Sequence, residues 1–153
     1  MIDVDGRDRA ILTALQKDGR LSNLDLAAAV GLSPSACLRR VKALEDCGLI
    51  AGYAMLLDPK AAGLAGNAFV SISPDQQGRQ ALDRFEAAVG GIPEVIACYL
   101  IAGQADYLLQ VAYRDSADFE RIHSEILTQL PGVVRVQSTL ALRTVKRTTA
   151  LPI

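Results

Sequence analysis

The sequence predicts an α+β protein, an N-terminal winged helix-turn-helix followed by a C-terminal ferredoxin-like βαββαβ unit, and three observations carry that prediction. Apolar residues recur at helical spacing, with recognisable helix ends, three times before residue 50. The second and third of these helices are separated only by Gly31 to Ser33. Beyond residue 66 the apolar period alternates between about 2 and about 3.6 residues, in the order strand, helix, strand, strand, helix, strand.

The helical half begins at Asp5 to Gln16, where Ala10, Ile11, Ala14 and Leu15 share a face and Gly19 follows as a stop. Ser22 can cap the next helix, with Asp25 three residues on as the acid of a capping-box pattern, ahead of Leu26-Ala27-Ala28-Ala29-Val30. Gly31 suits the left-handed residue past a helix end, and Ser33-Pro34 is an N-cap followed by proline at the first helical position. Gly31 to Ser33 is therefore the short glycine-containing turn of a helix-turn-helix. On the third helix the 3.6-residue period places Cys37, Leu38, Val41 and Leu44 on one face. Ser35, Ala36, Arg39 and Ala43 fall on the other, flanked by Arg40 and Lys42. Gly48 closes that helix, and Leu49 to Leu57 reads as an apolar strand or strand pair, a wing and hinge that ends at Asp58-Pro59.

In the second half Ala68 to Ser73 alternates as a strand and Gln77 to Val89 has helical spacing through Ala81, Leu82, Phe85, Ala88 and Val89. Val95 to Ala102 is a buried strand that returns through the Gly103 to Asp106 connection into Tyr107 to Tyr113. Ser116 to Leu130 is a second amphipathic helix broken by Pro131-Gly132, and the closing strand alternates Val134, Val136, Ser138, Leu140 and Leu142 against Arg135, Gln137, Thr139, Ala141 and Arg143. Helices cover one face of such a sheet, and the hairpin strands are apolar almost throughout. The open face is expected to be apolar and to pair with a second copy. The domains expected are 1–50, helix-turn-helix; 51–65, wing and hinge; and 66–153, the βαββαβ unit.

Composition excludes several classes. The 153 residues carry 16 Lys plus Arg against 17 Asp plus Glu, for a net charge of −1, and half are hydrophobic. A chain this long buries about 68–70% of its unfolded surface. It is neither a disordered polyelectrolyte nor a uniformly basic nucleic-acid coat. Its longest apolar run, Val95 to Ala102, falls far short of the roughly 20 residues of a spanning helix. The start, Met1-Ile2-Asp3-Val4-Asp5, is acidic and lacks the features of a signal peptide, so no membrane association and a cytoplasmic location are expected. Cys37, Cys47 and Cys98 have no metal-ligand spacing and sit among apolar neighbours, so buried free thiols are expected, with no metal and no cofactor. His123 stands without a partner, and no residue cluster suggests catalysis.

Between Ser33 and Leu44 there are three cations and no anion. Ser33, Ser35 and Ala36 leave the first turn of the third helix able to approach a DNA groove, where its N–H groups favour phosphate. Arg39 is the base-reading candidate, because a guanidinium can pair bidentately with guanine. Arg40 and Lys42 are candidates for backbone phosphates. An ordinary helical hairpin with a basic outer face has the same local pattern.

Several segments together resemble the Lrp/AsnC (feast/famine) family of bacterial and archaeal transcriptional regulators. They are Asp5 to Leu12, Leu21-Ser22-Asn23, Val30 to Ser35, Cys37-Leu38-Arg39-Arg40-Val41, Leu44-Glu45 with Gly48-Leu49-Ile50 and Gly52-Tyr53, Gly103 to Tyr107, and Leu130 to Val133. The resemblance spans nearly the whole chain. It implies double-stranded DNA as a partner, dimers that assemble to octamers, and a small-molecule effector, an amino acid, held between dimers. By the same resemblance the effector lies around Gly103, Gln104, Ala105, Asp106 and Tyr107, completed by Gln137 and Thr139. A glycine lets backbone N–H groups approach a carboxylate, and Asp106 could receive an α-ammonium group. The family often has an acid after that glycine, where this chain has Gln104. Glycine and aspartate are also the makings of a plain hairpin turn. Two other functions compete with an effector-gated regulator: an architectural DNA-binding protein without a ligand, and a haem-pathway decarboxylase, which would lean on histidines.

Overall fold

The computed structural model describes residues 4–76 and 78–153. The expectations placed on Met1 to Asp3, and on Gln77 as the start of a helix, lie outside the described residues. There are two compact units. One extends to Leu56 and takes in Lys146–Ile153, and the other spans Leu57–Val145.

The first unit is a three-helix helix-turn-helix. Helix α1 (Gly6–Lys17) starts from a reciprocal capping box. The Asp5 carboxylate accepts from the backbone N–H groups of Arg7 and Asp8, both at 2.8 Å, while Asp8 accepts from the Asp5 N–H at 3.4 Å. Helix α2 (Asn23–Val30) is capped by Ser22, whose hydroxyl accepts from the Asp25 N–H at 3.1 Å and donates to the Asp25 carboxylate at 2.6 Å. It stops on Gly31, at φ 64° and ψ 46°, a backbone conformation that costs a residue with a side chain about 1–2 kcal/mol. Helix α3 (Pro34–Asp46) follows at once, capped by the Ser33 hydroxyl on the Ala36 N–H at 3.3 Å. Ile11, Leu12, Leu26, Ala27, Val30, Cys37 and Leu44 close the core between the three helices.

The second unit is a βαββαβ fold, with β1 (Gly66–Pro74), α4 (Arg79–Gly90), β2 (Val95–Leu100), β3 (Tyr107–Tyr113), α5 (Ser116–Arg121) and β4 (Val133–Leu140). The sheet order is β2-β3-β1-β4, with every neighbouring pair antiparallel. Alternation sends Ala68, Val70 and Ile72 of β1 and Tyr107, Leu109 and Val111 of β3 to the helix side. There they meet Phe85, Val89, Ile122, Leu127 and Leu130. The Phe85 and Tyr107 rings lie 4.4 Å apart. Gly66 passes so close to Tyr113 that a Cβ there would lie 2.1 Å from the ring.

Asp118 is buried yet ionic. It accepts from the Arg114 N–H at 3.0 Å, the Arg114 guanidinium at 3.1 Å and Arg121 at 3.0 Å, and Arg121 reaches on to Glu94 at 2.9 Å. These donors, Arg114 foremost, hold the Asp118 carboxyl far below the ordinary carboxylate range.

The structure corrects four sequence expectations. Residues 51–58 pair with no strand among the described residues, so the anticipated wing strand has no ladder within this chain. The expected buried strand at 95–102 is β2, an edge strand whose Tyr99 and Leu100 are exposed, because only β3 pairs with it. Of the three thiols only Cys37 is buried: Cys47 caps α3 and Cys98 lies on that edge strand. The open sheet face is mixed rather than apolar. Alternation commits the apolar residues of β3 to the core, and Phe69, Leu108 and Tyr99 share the face with Ser71, Gln110 and Gln137. The expected helix over 116–130 is present but changes pitch, running as a π turn over Ile122–Ile126 and a 3-10 turn over Leu127–Gln129. Ile122 and Leu127 would stand about 140° apart on a regular α-helix, and the wider turn lets both reach the core.

Two outcomes test this account. Gly31→Ala should lower stability by about 1–2 kcal/mol in denaturant unfolding, with added crowding because its Cβ would lie 3.1 Å from the Arg7 guanidinium. Asp118→Asn should lower the melting temperature most at neutral pH. The depressed carboxyl contributes stability above its ordinary value of 3.8 and loses it as pH falls through the lower folded value, so the gap to the unsubstituted protein should close in acid. A gap independent of pH would remove charge from the explanation.

Candidate functional site

Helix α3 is aimed by contacts at its start and in its middle. The Asn23 side-chain amide donates to the Pro34 carbonyl at 2.8 Å, tying the start of α3 to the start of α2. The Arg7 guanidinium donates to the Val30 carbonyl, holding the end of α2 and hence the Gly31 turn. Behind α3, Arg40 makes two 2.8 Å ion pairs, to Asp5 and to Asp8. Asp8 and Asp5 push the Arg40 guanidinium up, and the Asp8 N–H together with Arg40 holds the Asp5 carboxyl down.

The six sequence-predicted DNA contacts separate accordingly. Ser33 and Ser35 are exposed, their hydroxyls 3.3 Å apart, and Ala36 is half-buried beneath them. Arg39 and Lys42 are exposed and form no ion pair with any described residue. Arg40 is instead committed to the α1 capping box, which leaves two free cations on the outer side of α3. Leu38, predicted on the buried face, is 57% exposed, because Cys37, Val41 and Leu44 already fill the inward stripe. The sequence shows the Asp5–Asp8 spacing as a capping pattern. It carries no local signal for the Arg40 pairing, which joins residues more than thirty positions apart.

In the other unit, the turn between β2 and β3 is fastened at its base. The Asp106 N–H donates to the Ile72 carbonyl at 3.2 Å and the Ile101 N–H to the Asp106 carbonyl at 2.8 Å. Gly103 and Gln104 are exposed, and Ala105 and Asp106 half-buried. A Cβ at Gly103 would meet nothing within 4 Å, and its backbone is not left-handed, so the chain itself does not demand glycine there. Tyr107 points the other way, into the core, and its hydroxyl donates to Glu86 at 2.7 Å; burial first, then Glu86, push its pKa well up. Gln137 and Thr139 are exposed on β4 opposite Ser71 and Phe69. With β1 between β3 and β4, they stand about 10 Å across the sheet from the β3 line, and one chain does not bring them to the turn. Among the described residues no cluster of His, Cys, Asp and Glu could hold a metal, and no helix is long and apolar enough to cross a membrane.

Comparison with known proteins matches two separate stretches of the chain. Residues 4–51 match a winged helix-turn-helix DNA-binding model, and residues 67–151 match the Lrp/AsnC ligand binding domain. A leucine-responsive regulatory protein of Salmonella typhimurium is 39% identical over 151 residues, covering 99% of this chain and 92% of that one. A transcriptional regulator of Neisseria meningitidis, solved as its L-Met complex, superposes with a TM-score of 0.94 at 41% identity, covering 98% of this chain and 97% of that one. An AsnC family regulator of Agrobacterium tumefaciens gives a TM-score of 0.93 at 36% identity, with 97% of each chain covered.

Arg40→Ala should lower the melting temperature, whereas Arg39→Ala should leave it in place, as thermal unfolding monitored by circular dichroism would show. Equal melting of the two variants would dissolve the distinction drawn between a structural and a DNA-facing arginine.

Proposed function

The chain belongs to the Lrp/AsnC family of transcriptional regulators, a DNA-binding regulator and not an enzyme, and on that footing we propose that it reads a specific operator and is gated by an amino acid bound between dimers. The observation that carries the DNA half is the exposed, unpaired Arg39 on α3, beside Lys42 and above the small residues Ser33, Ser35 and Ala36. Arg39 reads a base edge in the major groove and Lys42 holds a phosphate. The protein acts in the cytoplasm, where its DNA is.

The effector half rests on the Gly103 to Asp106 turn. Open space at a glycine the fold does not need leaves room for a ligand carboxylate at the backbone, with Asp106 to receive its ammonium group. Gln104 borders the site and Ala105 keeps it narrow. Tyr107 anchors the turn from the core side. Gln137 and Thr139 complete the site from another copy, since the sheet separates them from the turn in a single chain. The mixed face carrying Phe69, Leu108 and Tyr99 pairs two copies sheet to sheet, and dimers assemble to an octamer. The effector favours one assembly over another and thereby changes the spacing of the paired α3 helices, a coupling whose usual size is about 5–150-fold in affinity.

Equilibrium binding to the DNA upstream of the protein's own gene and to scrambled duplex, at two salt concentrations with and without mixed amino acids, tests both halves. Operator-selective binding that shifts with the amino acids is expected. Arg39→Ala should weaken operator binding by about 1–3 kcal/mol and relax preference at one base pair. Lys42→Ala should weaken all sequences alike, and Asp106→Ala should abolish the amino-acid response. Equal, purely salt-dependent binding to both duplexes would indicate a ligand-independent architectural protein, and an unchanged Arg39→Ala would remove that residue from base reading.

A further inference from the structure

Taken as a whole, the N-terminal stretch of the DNA-binding unit carries a balanced set of charges. Up to Leu56 the sequence has seven basic and seven acidic residues, and one of the three cations of α3, Arg40, is paired with Asp5 and Asp8. Sequence-independent DNA affinity depends on cations offered to phosphates. The same compact unit also contains the segment Lys146–Ile153, which reaches it from the far end of the chain. That segment has two cations, Lys146 and Arg147, and no acid.

A specific contact holds it there. The Gln16 side-chain amide near the end of α1 pairs with both backbone groups of Leu151: Nε2 donates to the Leu151 carbonyl at 3.2 Å, and the Leu151 N–H donates to Oε1. A carboxamide facing one residue's N–H and C=O in this way mimics a strand pair and fixes the direction of the segment. Just before it, the Thr148 hydroxyl accepts from the Ala150 N–H at 3.1 Å, shaping a local turn. Lys146 and Arg147 are exposed and make no ion pair with any described residue. Five residues of chain reach at most about 18 Å, so both cations stay near the anchoring point on α1, where Lys17 is also exposed.

We propose that Lys146–Ile153 is a basic arm of the DNA-binding apparatus, in which Lys146 and Arg147 contact backbone phosphates and Gln16 is the positioning residue that docks the arm. The inference rests on DNA binding by α3 but not on any effector. The arm adds affinity without sequence preference and restores the positive charge that the Arg40 ion pairs withdraw from α3.

The test uses the full-length protein and a random-sequence duplex, so no operator need be known, with affinity followed between about 50 and 200 mM salt. In the doubly substituted Lys146→Ala, Arg147→Ala protein the slope of log affinity against log salt should become shallower by about 1.8 per bound protomer, with the melting temperature unchanged. Gln16→Ala should shift the slope in the same direction, and combining it with the double substitution should add little, as expected of residues acting as one unit. An unchanged slope in the double variant, with the unsubstituted protein still binding, overturns the arm alone; failure of the unsubstituted protein to bind any duplex overturns the DNA-binding reading beneath it. If Gln16→Ala lowers only the melting temperature and leaves the slope intact, Gln16 is not the positioning residue.

Discussion

The left-handed turn at Gly31 is the constraint on which the DNA-binding unit depends. Helix α2 ends and α3 begins within three residues, so the direction of α3 is set by one backbone conformation and by the groups that secure it. Arg7 holds the carbonyl before the turn and Asn23 the carbonyl after it. Ser33 satisfies an N–H of the new helix. The Val30 carbonyl and the Ala36 N–H are orphan polar groups of helix ends, so the turn is stiff without needing a large core. A small three-helix unit cannot rely on buried area alone.

Arg40 extends the same logic. Its two ion pairs join the middle of α3 to the capping box of α1, so one cluster of charges both starts the first helix and braces the third. In the other unit the Glu94, Arg121, Asp118 and Arg114 network has a similar place, linking the start of α5 to the end of β3 and to the approach of β2. In both units charged groups fix the geometry of element ends while apolar side chains supply the bulk of the packing.

The local parts of this design were legible in the sequence. Ser22, Gly31, Ser33 and Pro34 announce helix ends because capping is chemistry among neighbours, and the βαββαβ order follows from periodicity. What required a partner at a distance was not legible. The Arg40 pairs, the Gln16 contact with Leu151 and the Asp118 network all depend on which elements the fold brings together. Burial was misread where exposure depends on a strand's place in the sheet: Val95 to Ala102 is apolar enough for a central strand, yet β2 is an edge. Tyr107 belongs by sequence position to the Gly103 to Asp106 turn and by side-chain direction to the core, a distinction made by pleating rather than by proximity along the chain.

The uneven burial of the three cysteines provides a ready means of observing the molecule at work. Cys37 is sealed in the helical core, while Cys47 at the end of α3 and Cys98 on β2 are open to solvent, one in each unit. Partial desolvation on the sheet edge, then the nearby Glu86 carboxylate, push the Cys98 thiol up, making it a slow nucleophile near neutral pH. Under native conditions a thiol-reactive fluorophore pair therefore labels each unit once, without engineering a cysteine. The separation of the two dyes then becomes a spectroscopic ruler for the geometry between units, readable in solution as DNA or a metabolite is added.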